Sequence, residues 1–164
     1  MPRIEKHSDF NATLSKLPLD QQHQLAKQFI AGVIHLSSSP RLAPLAALLK
    51  NPGCSLDDIR NAHQIARSVY VETSVGSDIA PIEYNCQATH FIAQAVLACS
   101  TPDPAGATTS TIAQKVANYC RMAQTCSAMG HGGDAPDFDG AESAYNQIMQ
   151  AQIDLANRFL EGKG

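Results

Sequence analysis

Apolar residues recur every three or four positions in segment after segment of this chain, which is the spacing of one face of an α-helix. Between positions 18 and 36, Leu25, Phe29, Val33 and Leu36 step by four, four and three residues. Further segments share this pattern, at positions 40–50, 55–75, 81–100, 109–128 and 139–161. The pattern therefore predicts about six helices, and it predicts no strand.

Local start signals indicate where several of these helices begin. Ser39 followed by Pro40 is an N-cap with proline in the first turn, and it predicts a short helix from position 40. Ser55 stands three residues before Asp58, which is the spacing of a reciprocal cap. These signals agree with the hydrophobic periodicity, so we expect the helices to start there.

The last helix is preceded by a stretch rich in glycine and aspartate at positions 130–140, which predicts a surface loop. Asp139 with Glu142 three residues later suggests a second cap pair and a helix from position 139. Residues 134–164 hold six acidic and two basic residues, a balance of −4.

Two segments, 81–100 and 109–128, are nearly free of charge. Between positions 77 and 133 the charged residues are Asp78, Glu83, Asp103, Lys115 and Arg121. A helix without charges on any face is usually covered on most faces, so we expect these two at the centre. The sequence predicts one all-α domain over 1–164, a compact bundle, with 1–18 either part of the body or a less ordered N-terminal arm.

The composition narrows the function classes. The 164 residues are 44% hydrophobic and 16% charged, with a net charge of −3, which argues against a nucleic-acid partner. No basic start is followed by an apolar core, and no run is apolar enough for a membrane span. The five cysteines include no CxxC pair, which is typical of reduced thiols. We therefore expect a cytoplasmic protein without a membrane partner.

Candidate chemistry is sparse. His63 and His90 lie within helical patterns, and no HExxH or ExxH motif accompanies them, so the sequence predicts no metal and no cofactor. No motif assigns a catalytic residue, which leans against an enzyme while leaving the question open. If a ligand site lies between the two central helices, its polar groups would be His63, Glu83, Asn85, His90 and Tyr119.

The acidic residues before and within the last helix are the candidate partner-binding residues: Asp134, Asp137, Asp139 and Glu142. An acidic surface speeds association with a basic protein. A calcium loop is the less favoured interpretation, because the glutamate at its twelfth position is missing.

The order of elements along the chain is also familiar. A short helix at 41–50 is followed by a turn, by the helix start Cys54–Arg60 and by the segment Ala62–Arg67. An alanine-containing helix with a central His90 comes next, and the chain finishes with Tyr145–Leu155. This order resembles the alanine-rich immunity proteins of bacterial polymorphic toxin systems. The resemblance implies a small, helical, cytoplasmic protein that neutralises a cognate toxin by binding it.

These observations favour a non-enzymatic protein-binding protein, an immunity-type inhibitor of a toxin that is itself basic. Two alternatives stay open: a small α-helical enzyme or ligand-binding protein with a polar site between the central helices, and a phage or mobile-element antagonist of host defence. The amphipathic last helix also leaves a homo-oligomer open.

Overall fold

The computed structural model describes residues 3–75, 83–101, 111–133 and 135–162. The regular secondary structure of these residues consists of helices, without a strand. Seven of them are α-helices: α1 His7–Leu14, α2 Leu19–Val33, α3 Leu45–Lys50, α4 Leu56–Val75, α5 Tyr84–Ser100, α6 Ile112–Met129 and α7 Phe138–Leu160. Two short 3₁₀ turns follow α2 and α6, at Ile34–Leu36 and Gly130–Gly132. The prediction of a compact all-α bundle is confirmed.

The two nearly uncharged helices, α5 and α6, form the centre of this bundle. They make their most extensive contact with each other, α4 packs on α5, and α2 and α7 pack on α6. Within α5 only Asn85 is exposed, and within α6 only Lys115, Asn118 and Met122 are. Because neighbouring helices cover most faces of α5 and α6, neither helix needs a charged face toward solvent.

Helix α1 is the element that the hydrophobic pattern does not predict. Phe10 and Leu14 are fully buried in the core, which places the N-terminal residues against the body. Ile4 is tied to α7 as well: its N–H donates to Asn157 Oδ1 at 2.8 Å, and its carbonyl accepts from Asn157 Nδ2 at 3.1 Å. The apolar residues of this eight-residue helix, Phe10, Ala12 and Leu14, span little more than one turn, which is too short for a periodicity argument.

The start of α4 agrees with its sequence signal, whereas that of α3 does not. The Asp58 N–H donates to Ser55 Oγ at 3.1 Å, and the Ser55 N–H donates to Asp58 Oδ2 at 2.9 Å, which is the reciprocal cap. The predicted helix start at Pro40 is wrong, since 40–44 form turns and α3 begins at Leu45. Pro44 accounts for this, because a proline disfavours helical geometry in the residue before it.

The predicted cap of α7 is displaced by two residues. Asp137, and not Asp139, is the N-cap, and its Oδ1 accepts the Gly140 N–H at 2.8 Å. Gly140 leaves room for the capping carboxylate, since a Cβ there would force the Asp137 side chain to shift. The predicted start of α5 at Pro81 lies outside the described residues.

All five cysteines are free thiols. Cys99, Cys120 and Cys126 are buried as small core residues, whereas Cys54 and Cys86 are half-buried. Burial raises the pKa of the Cys99 thiol to about 11 and raises that of Cys120 further, so both stay protonated at neutral pH.

Candidate functional site

The candidate partner-binding acids lie at the start of α7. Asp137 is half-buried and caps the helix, whereas Asp139 and Glu142 are exposed in and just after the first turn. Negative charge at this position is favourable for the helix itself, because it faces the positive end of the helix dipole. Asp134 lies outside the described residues.

Two aromatic residues stand among these acids. Phe138 is 68% exposed and Tyr145 is 38% exposed. They are seven residues apart, two turns of α7, so they share one face with Glu142 between them. We call the set Asp137, Phe138, Asp139, Glu142 and Tyr145 the acidic–aromatic face. In the sequence, Tyr145 continues the helical spacing of Ile148, Met149 and Gln152, which predicts a position on the buried stripe of α7, and nothing singles out Phe138.

A buried cation lies beneath this face. Arg121 of α6 is only 4% exposed, and its guanidinium carbon lies 6.0 Å from the ring centroids of both Phe10 and Tyr145. Its Nη1 donates to Gln152 Oε1 at 2.8 Å and lies 3.3 Å from Met149 Sδ. Gln152 is fixed in turn, because its Nε2 donates to the Ala117 carbonyl at 3.0 Å.

The guanidinium of Arg121 is surrounded by neutral side chains. Across the described residues no carboxylate forms an ion pair with it, and its Nε is buried without a hydrogen-bond partner. Burial lowers the pKa of Arg121, and the nearby Tyr145 opposes that shift, but a guanidinium stays protonated in proteins. The Tyr145 ring is therefore held against a fixed cation, which orders an aromatic side chain at the protein surface.

The two histidines singled out in the sequence lie between α4 and α5, at separate places. His63 Nδ1 is 2.9 Å from Ser100 Oγ, and His90 Nδ1 is 2.9 Å from Thr73 Oγ1. The two helices run antiparallel, so the pairs are ten residues apart on each helix, or about 15 Å. The histidines thus do not converge on one site.

The hydroxyl partners favour one tautomer of each histidine. Ser100 Oγ donates to the Val96 carbonyl at 2.7 Å, and Thr73 Oγ1 donates to the Val69 carbonyl at 2.8 Å. A hydroxyl has one hydrogen to donate, so this arrangement favours the tautomer in which Nδ1 of the histidine donates to the hydroxyl oxygen.

The ring of His90 is additionally packed against aromatic neighbours. It stacks on Tyr70 at a centroid distance of 4.5 Å, with Phe91 at its edge. Burial lowers the pKa of His90, which favours the neutral ring that this packing suits. Both histidines therefore join α4 to α5 through hydrogen bonds.

The remaining pocket candidates are dispersed. Glu83 is exposed at the N-cap of α5, Asn85 is exposed and faces Gly130 after α6, and Tyr119 is half-buried against the core. Neither these three nor the two histidines line a separate, mostly apolar cleft of the described chain. The five side chains are not brought together.

That cleft lies between α2, α3, α4 and the C-terminal end of α5, and we call it the α2–α5 cleft. It has a volume of about 480 Å³. Its apolar wall consists of Leu48, Leu49, Leu56, Ile59, Ala62 and Val96. Its polar lining consists of His23, Lys27, Cys54, Arg60, Cys99, Ser100 and Thr101. The lining residues include two cations and, over the described part of the chain, no carboxylate.

The two cations differ in their surroundings. Lys27 Nζ is 3.6 Å from Cys54 Sγ, and it forms no ion pair with a carboxylate of the described residues. Arg60 Nη1 donates to Asp57 at 3.1 Å, and both of these side chains are largely exposed. Sequence reasoning did not find this cleft, because its lining comes from four helices and no local spacing links them.

Comparison with known proteins finds no matching family model, no matching curated protein and no matching solved structure. Over the described residues, no group of three or more histidine, cysteine or acidic side chains is placed to hold a metal ion. None of the described helices combines the length and apolarity needed to cross a membrane.

Proposed function

We propose that this chain is a non-enzymatic protein-binding protein, an immunity-type inhibitor that covers a basic partner protein with its acidic–aromatic face. The observation that carries the proposal is the exposure of Phe138 and Tyr145 among Asp139 and Glu142. Aromatic residues are enriched where protein interfaces gain most of their binding free energy, and charged residues at the rim speed the encounter.

The support beneath Tyr145 strengthens this proposal. A side chain that is already ordered loses less conformational entropy on binding than a free one. The ring of Tyr145 lies against the buried Arg121, and Asp137 fixes the first turn of α7. The face is thus a rigid helix presenting two aromatic side chains. The resemblance to alanine-rich immunity proteins agrees with this role.

The proposal is tested by capturing the partner from the native host with the tagged chain and then measuring association kinetics with the purified partner. We expect a basic protein whose association slows as salt is raised, because the attraction between opposite charges is screened. The double variant Phe138→Ser with Tyr145→Ala should bind at least about tenfold more weakly.

Val71→Ser is the matched control, since Val71 is 53% exposed on α4, a different helix, and its loss should leave binding unchanged. Equal affinity of the wild type and the double variant, or an acidic partner with salt-independent association, would contradict the proposal. The identity of the partner also separates the alternatives: a secreted toxin supports an immunity role, and a host defence protein supports a phage or mobile-element antagonist.

A further inference from the structure

We propose that the α2–α5 cleft binds a linear aliphatic carboxylate, with its chain along the apolar wall and its carboxylate at Lys27. This site shares no residue with the acidic–aromatic face, so it is independent of the proposed function. The argument rests on the shape of the cleft, on its charge and on the position of Lys27.

The shape fits a small flexible ligand. A volume of about 480 Å³ falls within the range of natural small-molecule pockets, which are mostly apolar with a few polar groups that fix orientation. The wall contains six aliphatic side chains, and no phenylalanine or tyrosine of the described chain lines the cleft. Such a wall suits an alkyl chain, because its aliphatic side chains offer contact area without a stacking surface.

The charge selects the head group. Lys27 and Arg60 are two cations on a lining that holds no described carboxylate. Among the described residues, the hydrogen-bond partner of the Lys27 ammonium is the weakly accepting thiol of Cys54, so its strongest hydrogen bonds are left to be made. An anionic oxygen at this point would form a charge-assisted hydrogen bond, whereas a cationic head group would be repelled.

Lys27 stands where both requirements meet. It is half-buried on α2 and borders the same cleft as Leu48 and Leu49 of α3. Its aliphatic stem therefore continues the apolar wall while its ammonium group points to the polar lining. This is the arrangement that an amphipathic anion needs: an apolar slot that ends at a cation.

The test compares three ligands with the same ten-carbon chain below their micelle concentrations: decanoate, decanol and decyltrimethylammonium. Isothermal titration calorimetry should give binding of decanoate at least about tenfold tighter than decanol, since one charge-assisted hydrogen bond is lost. Decyltrimethylammonium should bind more weakly still. In Lys27→Met the preference for decanoate over decanol should fall to a few-fold at most.

Lys115→Met is the matched control, because Lys115 is an exposed lysine of α6 that lines neither this cleft nor the adjoining cavity that Lys27 also borders, and it should retain the full preference. The wild-type chain supplies a second readout that needs no variant. Cys54 lines the cleft and Cys86 does not, yet both thiols are half-buried. Decanoate should slow alkylation of Cys54 and leave that of Cys86 unchanged, as mass spectrometry of the two peptides would show.

Each other outcome overturns the inference. Equal binding of decanoate and decanol would remove the role of the cations. Equal protection of Cys54 and Cys86 would indicate general adsorption of the alkyl chain. Absence of decanoate binding, or protection of neither thiol, would reject the site itself, and none of these results bears on the protein-binding proposal.

Discussion

The interface between α4 and α5 and the interface between α6 and α7 both enclose polar side chains, but they accommodate them differently. Between α4 and α5 two half-buried histidines pair with hydroxyls, and each hydroxyl also donates to a carbonyl of its own helix. Between α6 and α7 a fully buried Arg121 depends on Gln152, Met149 and two aromatic rings.

Polar groups buried in a helical core therefore differ in how much the loss of a partner destabilises the protein. A neutral pair whose hydroxyl also bonds within its own helix loses one hydrogen bond when it is broken. A buried cation held by side chains of two other helices is left without its hydrogen-bond acceptor when its amide partner is removed. We therefore expect mutations at the α6–α7 interface to be the more destabilising.

The largest effect is expected from Gln152→Leu. This change removes the acceptor of Arg121 and the donor to Ala117, and it should lower the free energy of unfolding by about 3 kcal/mol. Urea denaturation followed by circular dichroism measures it. Gln150→Leu on the exposed side of α7 is the matched control and should change stability by less than about 0.5 kcal/mol.

A compensating change sharpens this test. Adding Arg121→Met to Gln152→Leu removes the buried charge as well, so the double variant should regain most of the lost stability. A double variant as unstable as Gln152→Leu alone would mean that packing, and not the unpaired cation, dominates at this interface.

The next largest effect is expected at the start of α7, where the side chain of Asp137 caps the helix. Asp137→Ala should cost about 1 kcal/mol of unfolding free energy, because the Gly140 N–H loses its acceptor. Asp139→Ala, the neighbouring acid that caps nothing, should cost less than half as much. Thermal unfolding monitored in parallel for both variants distinguishes them, and equal losses would show that only the shared negative charge matters.

The pairs between α4 and α5 should each contribute a similar, smaller amount. Ser100→Ala and Thr73→Val each remove one hydroxyl partner of a histidine and should each cost up to about 1 kcal/mol. Because the pairs are about 15 Å apart, the losses should add within about 0.5 kcal/mol. A larger coupling free energy in the double-mutant cycle would mean that the two pairs form one cooperative unit.

The smallest effect is a pH dependence from His90. Burial lowers its pKa in the folded protein below the ordinary value of 6.5, so the unfolded chain binds the proton more readily. The stability that depends on the neutral ring is complete above pH 6.5 and decreases as the pH falls below it. His90→Asn should reduce this slope in urea titrations between pH 7 and 5, whereas Ser100→Ala, which keeps His90, should retain it.

Hydrophobic periodicity and local caps predict most of the helices from the sequence. The prediction of a helix start is accurate where a single pair of residues specifies it. Ser55 and Asp58 specify the start of α4 by themselves, and the uncharged segments identify the buried centre. It was wrong by two residues at Asp139 because Asp137 has the same chemistry and only the backbone selects between them. It missed α1 because Phe10 and Leu14 give too short a pattern.

The candidate sites were less accessible, for a different reason. Lys27, Cys54 and Arg60 line one cleft only because α2, α3 and α4 pack together, and no spacing along the chain encodes that. Tyr145 matched the buried stripe by position, yet it lies at the edge of the core, where burial depends on what neighbouring helices leave uncovered. Periodicity predicts which face turns inward and not how far coverage extends.

The unequal burial of the five thiols determines how oxidation inactivates this protein. In the folded state an oxidant can reach only the half-buried Cys54 and Cys86, whereas unfolding exposes all five. Sulfinic or sulfonic acid formed at Cys120 would introduce a charge into the tightest part of the bundle and prevent refolding. In an oxidising medium, transient unfolding can therefore lead to irreversible oxidation of a core thiol. The lifetime of the folded protein there depends on how often the core unfolds.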